Sequence, residues 1–334
     1  MSAREPRAHR LPGSMHRTRL LRIPVPDQPP RIGHVVAMSS GMTFTKILCP
    51  VDFSPGSQQA LRTAVRLARE HNADLVLVHS WYVPATAFAG DFSYSDNTAR
   101  ALGGSAQCGL EAALAEARQL GAPRVTAKLL NGLPWQQIVE AAQRGSGVDL
   151  IVIGTHGRTG LSRVVMGSVT ELVVRHAACP VLTVRPGNEL APYRRVVCPV
   201  DLSRPSHDAM NLAAELVQPG GSITLLHVLE LPISYTPDVP PEFHHGLDAR
   251  SAALLDRWTA DLKAKVRVPV TQIARIGRPG AQILAVLEED RAFDLVVMGS
   301  HGNTGVTRVL VGSVAEKVVR HARCPVLVVH SPAA

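Results

Sequence analysis

Two fifteen-residue stretches carry the residue types best suited to chemistry. GTHGRTGLSRVVMGS (154–168) and GSHGNTGVTRVLVGS (299–313) each place glycines directly after an unbroken apolar run, DLIVI and DLVVM. A helix that starts after such a loop offers unpartnered N–H groups and the positive end of its peptide dipoles, a natural seat for phosphate. Glycines before it permit left-handed backbone angles and let main chain approach an anion with no Cβ in the way. In the first stretch Gly154 and Gly157 would shape the turn, Gly167 would allow the close approach, and the Ser168 hydroxyl could donate directly. Arg163, with Arg158 at the loop tip, adds positive charge. The spacing is neither GxxxxGK followed by Ser or Thr nor GxGxxG. A turn that merely joins strand to helix is the plain alternative.

Asp52 in PVDFS and Asp201 in PVDLS form a second candidate pair. A carboxylate there can accept from sugar hydroxyls or help hold Mg²⁺, which prefers oxygen ligands. Asp-x-Ser is also good turn and helix-capping chemistry. His156 and His301 have no Cys, Asp or second His at ligand spacing, so they read as structural histidines and no metal site is expected. His79 and His227 end apolar runs and are expected to cap a strand through a backbone bond. The five cysteines show no CxxC, and Cys49, Cys198, Cys179 and Cys324 recur in matching contexts that suggest small core residues in a reducing cytoplasm.

The elements that must position these residues are themselves duplicated. KILCPVDFSPGSQQAL matches RVVCPVDLSRPSHDAM, LVLVHS matches ITLLHV, and SVTELVVRHAACPVLTV matches SVAEKVVRHARCPVLVV. The offset is 149 at Asp52 and Asp201, 148 at His79 and His227, and 145 from Gly154 and Gly299 onward, so length differences fall between elements, as in loops. Within each copy, strands that are apolar throughout alternate with amphipathic helices, one of them near GLEAALAEARQL. That pattern implies an α/β, doubly wound domain with a five-stranded, mainly parallel sheet covered on both faces. Ligands of such sheets bind beyond the carboxyl ends of the strands, where the strand order reverses, which is where the glycine stretches fall. Pro, Gly, Ser and Asp break the period around 81–108 and 230–248, which read as lids or variable loops.

At 334 residues the chain has room for two domains, and no apolar stretch is long enough to span a bilayer. The net charge of +8 is misleading as a sign of nucleic-acid binding. Residues 1–42 hold seven arginines against Glu5 and Asp27, and the remainder is nearly balanced and poor in aromatic residues. This Arg- and Pro-rich segment reads as a disordered basic tail, with Met38 or Met42 an alternative start.

Gly-x2-Gly-x9-Gly-Ser, present as Gly154, Gly157, Gly167, Ser168 and as Gly299, Gly302, Gly312, Ser313, resembles the ATP-binding signature of the universal stress protein family. The flanks PVDFS, PVDLS and GSVAEKVVRHARCPVLVV agree, and the resemblance covers about residues 43–331 as a tandem member. It implies a Rossmann-like fold of the adenine nucleotide alpha hydrolase type, with domains at 43–187 and 191–331 joined by RPGNELAPYR. It implies ATP as ligand, with Mg²⁺. Asp52 and Asp201 would lie over the adenosine or its metal, Pro50 and Pro199 at the pocket border, and Val78 and Leu226 beside adenine. The loop glycines, Gly160 and Gly305 among them, would take ribose and phosphates with Ser168 and Ser313. Arg158 becomes Asn303 in the second copy, so that site should be weaker by about 1 to 3 kcal/mol if the side chain reaches phosphate.

A cytoplasmic, nucleotide-dependent stress regulator follows from the resemblance, its halves paired through their last strands as an internal pseudo-dimer, with a homodimer left open and a protein partner unspecified. Two other readings stand beside it. One is a slow ATPase or nucleotidyl-transfer enzyme on the same fold, although no Lys, paired carboxylates or His-x-x-His accompany the glycine loops, and no catalytic residue is named. The other is a nucleotide-free interaction module.

Overall fold

The strands are runs of Val, Ile and Leu buried on both sides, except the two outermost, Arg124–Asn131 and Val270–Ile276, which alternate polar residues and stay partly exposed. They are β1 (Lys46–Pro50), β2 (Asp74–Trp81), β3 (Arg124–Asn131), β4 (Leu150–Gly154) and β5 (Val181–Val184), then β6 (Arg195–Val200), β7 (Ser222–Leu229), β8 (Val270–Ile276), β9 (Leu295–Gly299) and β10 (Val326–Val329). Between them lie α1 (Pro55–His71), α2 (Asp96–Gln119), α3 (Pro134–Ala141), α4 (Ser168–His176), α5 (Arg204–Leu216), α6 (Ala249–Lys265), α7 (Pro279–Glu289) and α8 (Ser313–His321). The computed structural model describes residues 44–82, 96–155, 166–188, 191–230, 249–302 and 311–330, so the basic tail lies outside the described residues. No helix among the described residues is long and apolar enough to cross a membrane.

Helix α2 begins well before the GLEAALAEARQL pattern. Gly103 and Gly104 hide its period in the sequence, yet Ala106 and Leu110 bury against the sheet and Gly103 sits against the Trp81 ring. Tertiary packing outweighs the two glycines' low propensity here.

All ten strands make one sheet in the order β3-β2-β1-β4-β5-β10-β9-β6-β7-β8. Every neighbouring pair is parallel except β5 and β10, which run antiparallel with Leu182 opposite Leu327. The order reverses between β1 and β4 in the first half and between β6 and β9 in the second. One face of the sheet is covered by α1, α2, α5 and α6, with Leu61, Leu67, Leu110, Met210, Leu255 and Leu262 in a single core. The other is covered by α3, α4, α7 and α8 through Ile138, Val173, Val174, Ile283, Val318 and Val319. Each core runs through both halves.

The seam is also tied by polar groups that cross it. Arg185, just past β5, donates to the carbonyls of Val319 and Arg320 near the end of α8, where a cation is favoured by the helix dipole. His330 occupies the equivalent position after β10, and its Nε2–H donates to the Val174 carbonyl near the end of α4 at 2.8 Å. Glu171 and Glu316 each meet Arg175 and Arg320, so the four side chains form a ring across the seam.

Burial, seconded by His301, lowers the His330 pKa from 6.5 to about 4, and the Val174 carbonyl opposes this only in part. The unfolded chain therefore takes up the proton first, so this contribution is complete above pH 6.5 and is lost as the pH falls toward 4. His330→Gln, which keeps an N–H donor for Val174, should lose about 2 kcal/mol less stability than wild type between neutral pH and about pH 4.5. Urea unfolding at the two pH values measures this; equal losses in both proteins would show that His330 does not titrate in that window.

Candidate functional site

Both halves build the same constellation at the carboxyl ends of their central strands. In the first, Pro50 ends β1 opposite Val78 of β2, and the Val51 N–H donates to the Val78 carbonyl at 2.9 Å. The chain then turns at Asp52, whose Oδ1 accepts from the Ser54 N–H (3.0 Å) and the Ser54 hydroxyl (2.6 Å). Ser54 in turn caps α1 by accepting from the Ser57 N–H. The residue between them, Phe53, is held at φ 66°. In the second half Pro199 lies opposite Leu226, Asp201 Oδ1 accepts from Ser203, Ser203 caps α5, and Leu202 is held at φ 63°. A bulky residue in left-handed backbone is costly and persists only when its surroundings over-determine it. Here the Asp-to-Ser bonds and the helix cap do so, twice.

The histidines near the ends of β2 and β7 lock these turns. His79 Nδ1–H donates to the Val51 carbonyl at 2.7 Å, and His227 Nδ1–H to the Val200 carbonyl at 2.8 Å. The carbonyl partner sets the tautomer and leaves Nε2 as an acceptor while the ring is neutral. Phe53 stacks on His79 with ring centroids 4.6 Å apart.

Glycines bring the second element of the site into place, and they do so for different reasons. Gly154 ends β4 against the start of α1, where a Cβ would lie 2.6 Å from the Gly56 carbonyl carbon and oxygen. Gly299 ends β9 against α5, where a Cβ would lie 2.9 Å from Pro205. These two glycines are required by main-chain packing within the protein. The start of each following helix is bonded back to the strand end: the Gly167 N–H donates to the Thr155 carbonyl (2.8 Å), and the Gly312 N–H to the Ser300 carbonyl (2.7 Å). Gly302 passes directly over Asp201, and a Cβ there would collide with Oδ2, so the aspartate loop and the glycine loop meet.

Helices α4 and α8 start on Gly167 and Gly312 with no side-chain cap, whereas α1 and α5 are capped by serine. Gly312 has ordinary extended backbone (φ −64°), and among the described residues the atom nearest to a Cβ would be 3.4 Å away, so neither its conformation nor these neighbours demand glycine there. What glycine leaves open is the first turn of α8, with its N–H groups and the Ser313 hydroxyl. The acids of these first turns, Glu171 and Glu316, are paired with arginines, which reduces their opposition to an incoming anion.

Pro50, Asp52, Val78, Gly154, Gly167 and Ser168 are thus gathered around one set of strand ends, and Pro199, Asp201, Leu226, Gly299, Gly302, Gly312 and Ser313 around the other. Val78 and Leu226 are core residues, 1% exposed. Gly157, Arg158, Gly160, Arg163, Asn303 and Gly305 lie outside the described residues, as does His156. The sequence pattern missed Phe53 and Leu202; the signal was Asp-x-Ser recurring before both first helices. Cys49 and Cys198 are buried in β1 and β6, and desolvation pushes both thiols up, away from the reactive thiolate. No group of three His, Cys, Asp or Glu among the described residues could hold a metal ion by itself.

The profile described as "Universal stress protein family" matches residues 43–185 and again 192–330. A universal stress protein of Mycolicibacterium smegmatis is 29% identical over 303 residues, covering 87% of this chain and 99% of the relative. One from Mycobacterium tuberculosis is 27% identical over 302 residues, covering 87% and 98%. Among solved structures, a universal stress protein from Archaeoglobus fulgidus superposes with TM-score 0.66 at 22% identity over 85% of this chain and 97% of that one.

The packing role of Gly154 has a direct test. Gly154→Ala should cost about 1 to 3 kcal/mol of unfolding free energy with no ligand added, because backbone must give way to the new methyl. Chemical denaturation measures it, and an unchanged midpoint would show that the strand end and α1 are not in close contact.

Proposed function

Because the chain belongs to the universal stress protein family over two consecutive copies, we propose that it is an ATP-binding regulator of the stress response, with one adenine nucleotide in each of the domains 43–187 and 191–331. The observation that carries this reading is the pair of uncapped, glycine-started helices α4 and α8, each beside an aspartate loop at the strand-order reversal. Phosphates would lie on the first-turn N–H groups and the hydroxyls of Ser168 and Ser313, since a helix N-terminus favours anions. Asp52 and Asp201 would face the ribose, with Oδ1 already fixed by serine. The oxygen donors present suit Mg²⁺, which would neutralise phosphate charge when bound with the nucleotide. The free thiols, most of them in the core, suit a reducing cytoplasm.

The proposal expects about two adenine nucleotides per chain, either released from denatured protein or bound on titration with Mg-ATP. Neither release nor binding would favour the nucleotide-free module. Turnover within the usual enzyme range of about 1 to 1000 per second would favour the ATPase instead. Gly312→Ser provides a sharper variant, because serine is a better cap than glycine and its hydroxyl would occupy the N–H groups intended for phosphate. It should preserve folding stability while reducing the stoichiometry measured by calorimetry toward one. Retention of two equal sites would place the phosphates elsewhere.

A further inference from the structure

The two halves differ in how their first two helices meet. Aligned by burial along α2 and α6, Leu110, Ala113 and Ala117 correspond to Leu255, Trp258 and Leu262. In the second half the Trp258 indole is buried between α5 and α6, edge-on to His207 with ring centroids 5.1 Å apart. The first half has Ala113 in place of the indole and Gln58 in place of His207. A neighbouring exchange compensates itself: Phe53 and Gly109 replace Leu202 and Leu254, and the Phe53 ring fills the glycine's notch so closely that a Cβ on Gly109 would lie 2.6 Å from it. Among the described residues no side chain replaces the indole. A cleft of about 190 Å³, open to solvent, remains, with Val51, Phe53, Leu61 and Ala113 as its apolar walls and Gln58 and Glu116 among its polar lining.

We propose that this cleft is a binding site for a planar aromatic molecule of indole size carrying a hydrogen-bond donor. The second half supplies the template, since the same position on the same fold is filled there by an indole. Phe53 offers a ring wall for offset or edge contact. The polar lining offers acceptors for a ring N–H, the Gln58 amide oxygen and the Glu116 carboxylate; the latter's pairing with Arg62 (3.3 Å) is between solvent-accessible side chains and is weak. The same carboxylate disfavours anionic ligands. The cleft lies on the face of the sheet covered by α1 and α2, opposite α4, and among the described residues it meets the candidate nucleotide site at the turn from Val51 to Phe53.

Equilibrium dialysis of radiolabelled indole against the full chain tests the assignment. Wild type should bind one indole per chain saturably. Ala113→Trp, which installs the second half's side chain, should weaken binding by at least about tenfold and raise Tm by filling the cleft. Trp258→Ala should open the matching space and raise the stoichiometry to two; if that variant fails to fold, Ala113→Trp decides alone. No saturable binding to wild type overturns the proposal. So does Ala113→Trp that binds indole like wild type, which puts the molecule elsewhere, or that lowers Tm, which shows that the cleft cannot take the ring.

Discussion

The candidate site depends on one close approach of main chain to main chain. At Gly154 the end of β4 presses against the first residues of α1, and at Gly299 the end of β9 presses against α5, with distances that leave no room for a Cβ. Because of this contact, the helix that carries the aspartate turn and the strand that launches the glycine loop share one corner of each half. Widening the gap would separate Asp201 from Gly302 and move the uncapped starts of α4 and α8 away from the turns they are meant to serve. The serine caps and the histidine bonds then hold each turn in its left-handed geometry, so the turns are fixed by the chain's own contacts.

The second constraint is the antiparallel pairing of β5 with β10. It converts two five-stranded sheets into one of ten strands and lets each hydrophobic core continue across the seam. Both glycine-started helices run up to this seam, where Arg185 and His330 each satisfy carbonyls of the opposite half. The two corners are consequently parts of one cooperative body, in which the distance between them is fixed by packed sheet and paired helices.

Much of this was legible in the residues. Unbroken apolar runs marked buried parallel strands, and the duplication with its shifting offset separated elements from loops. The glycine and aspartate motifs fell at the strand ends where the topology puts them. What escaped was set by contacts distant in sequence. Gly154 reads in the sequence as a residue that shapes the loop's first turn, but its immediate reason is α1, a neighbour about a hundred residues earlier in the chain. The left-handed angle at Phe53 and Leu202 is invisible in residue types that ordinarily avoid it, and follows only once aspartate, serine and helix cap are seen to act together. The early start of α2 was hidden by two glycines that the sheet tolerates. Likewise, equivalent positions held by Arg185 and His330 gave no hint that each crosses to the other half, because such a crossing exists only after the strands pair.

The proposed function requires phosphate at the starts of α4 and α8. Its most direct test is a ¹⁵N-resolved NMR titration that follows the amide signals of Gly167, Ser168, Gly312 and Ser313 with Mg-ATP and, separately, with adenosine. Phosphate seated on these helix starts should shift all four amides with Mg-ATP, while adenosine should leave them near their starting positions. Saturable ATP binding with these four signals unmoved would contradict the claim.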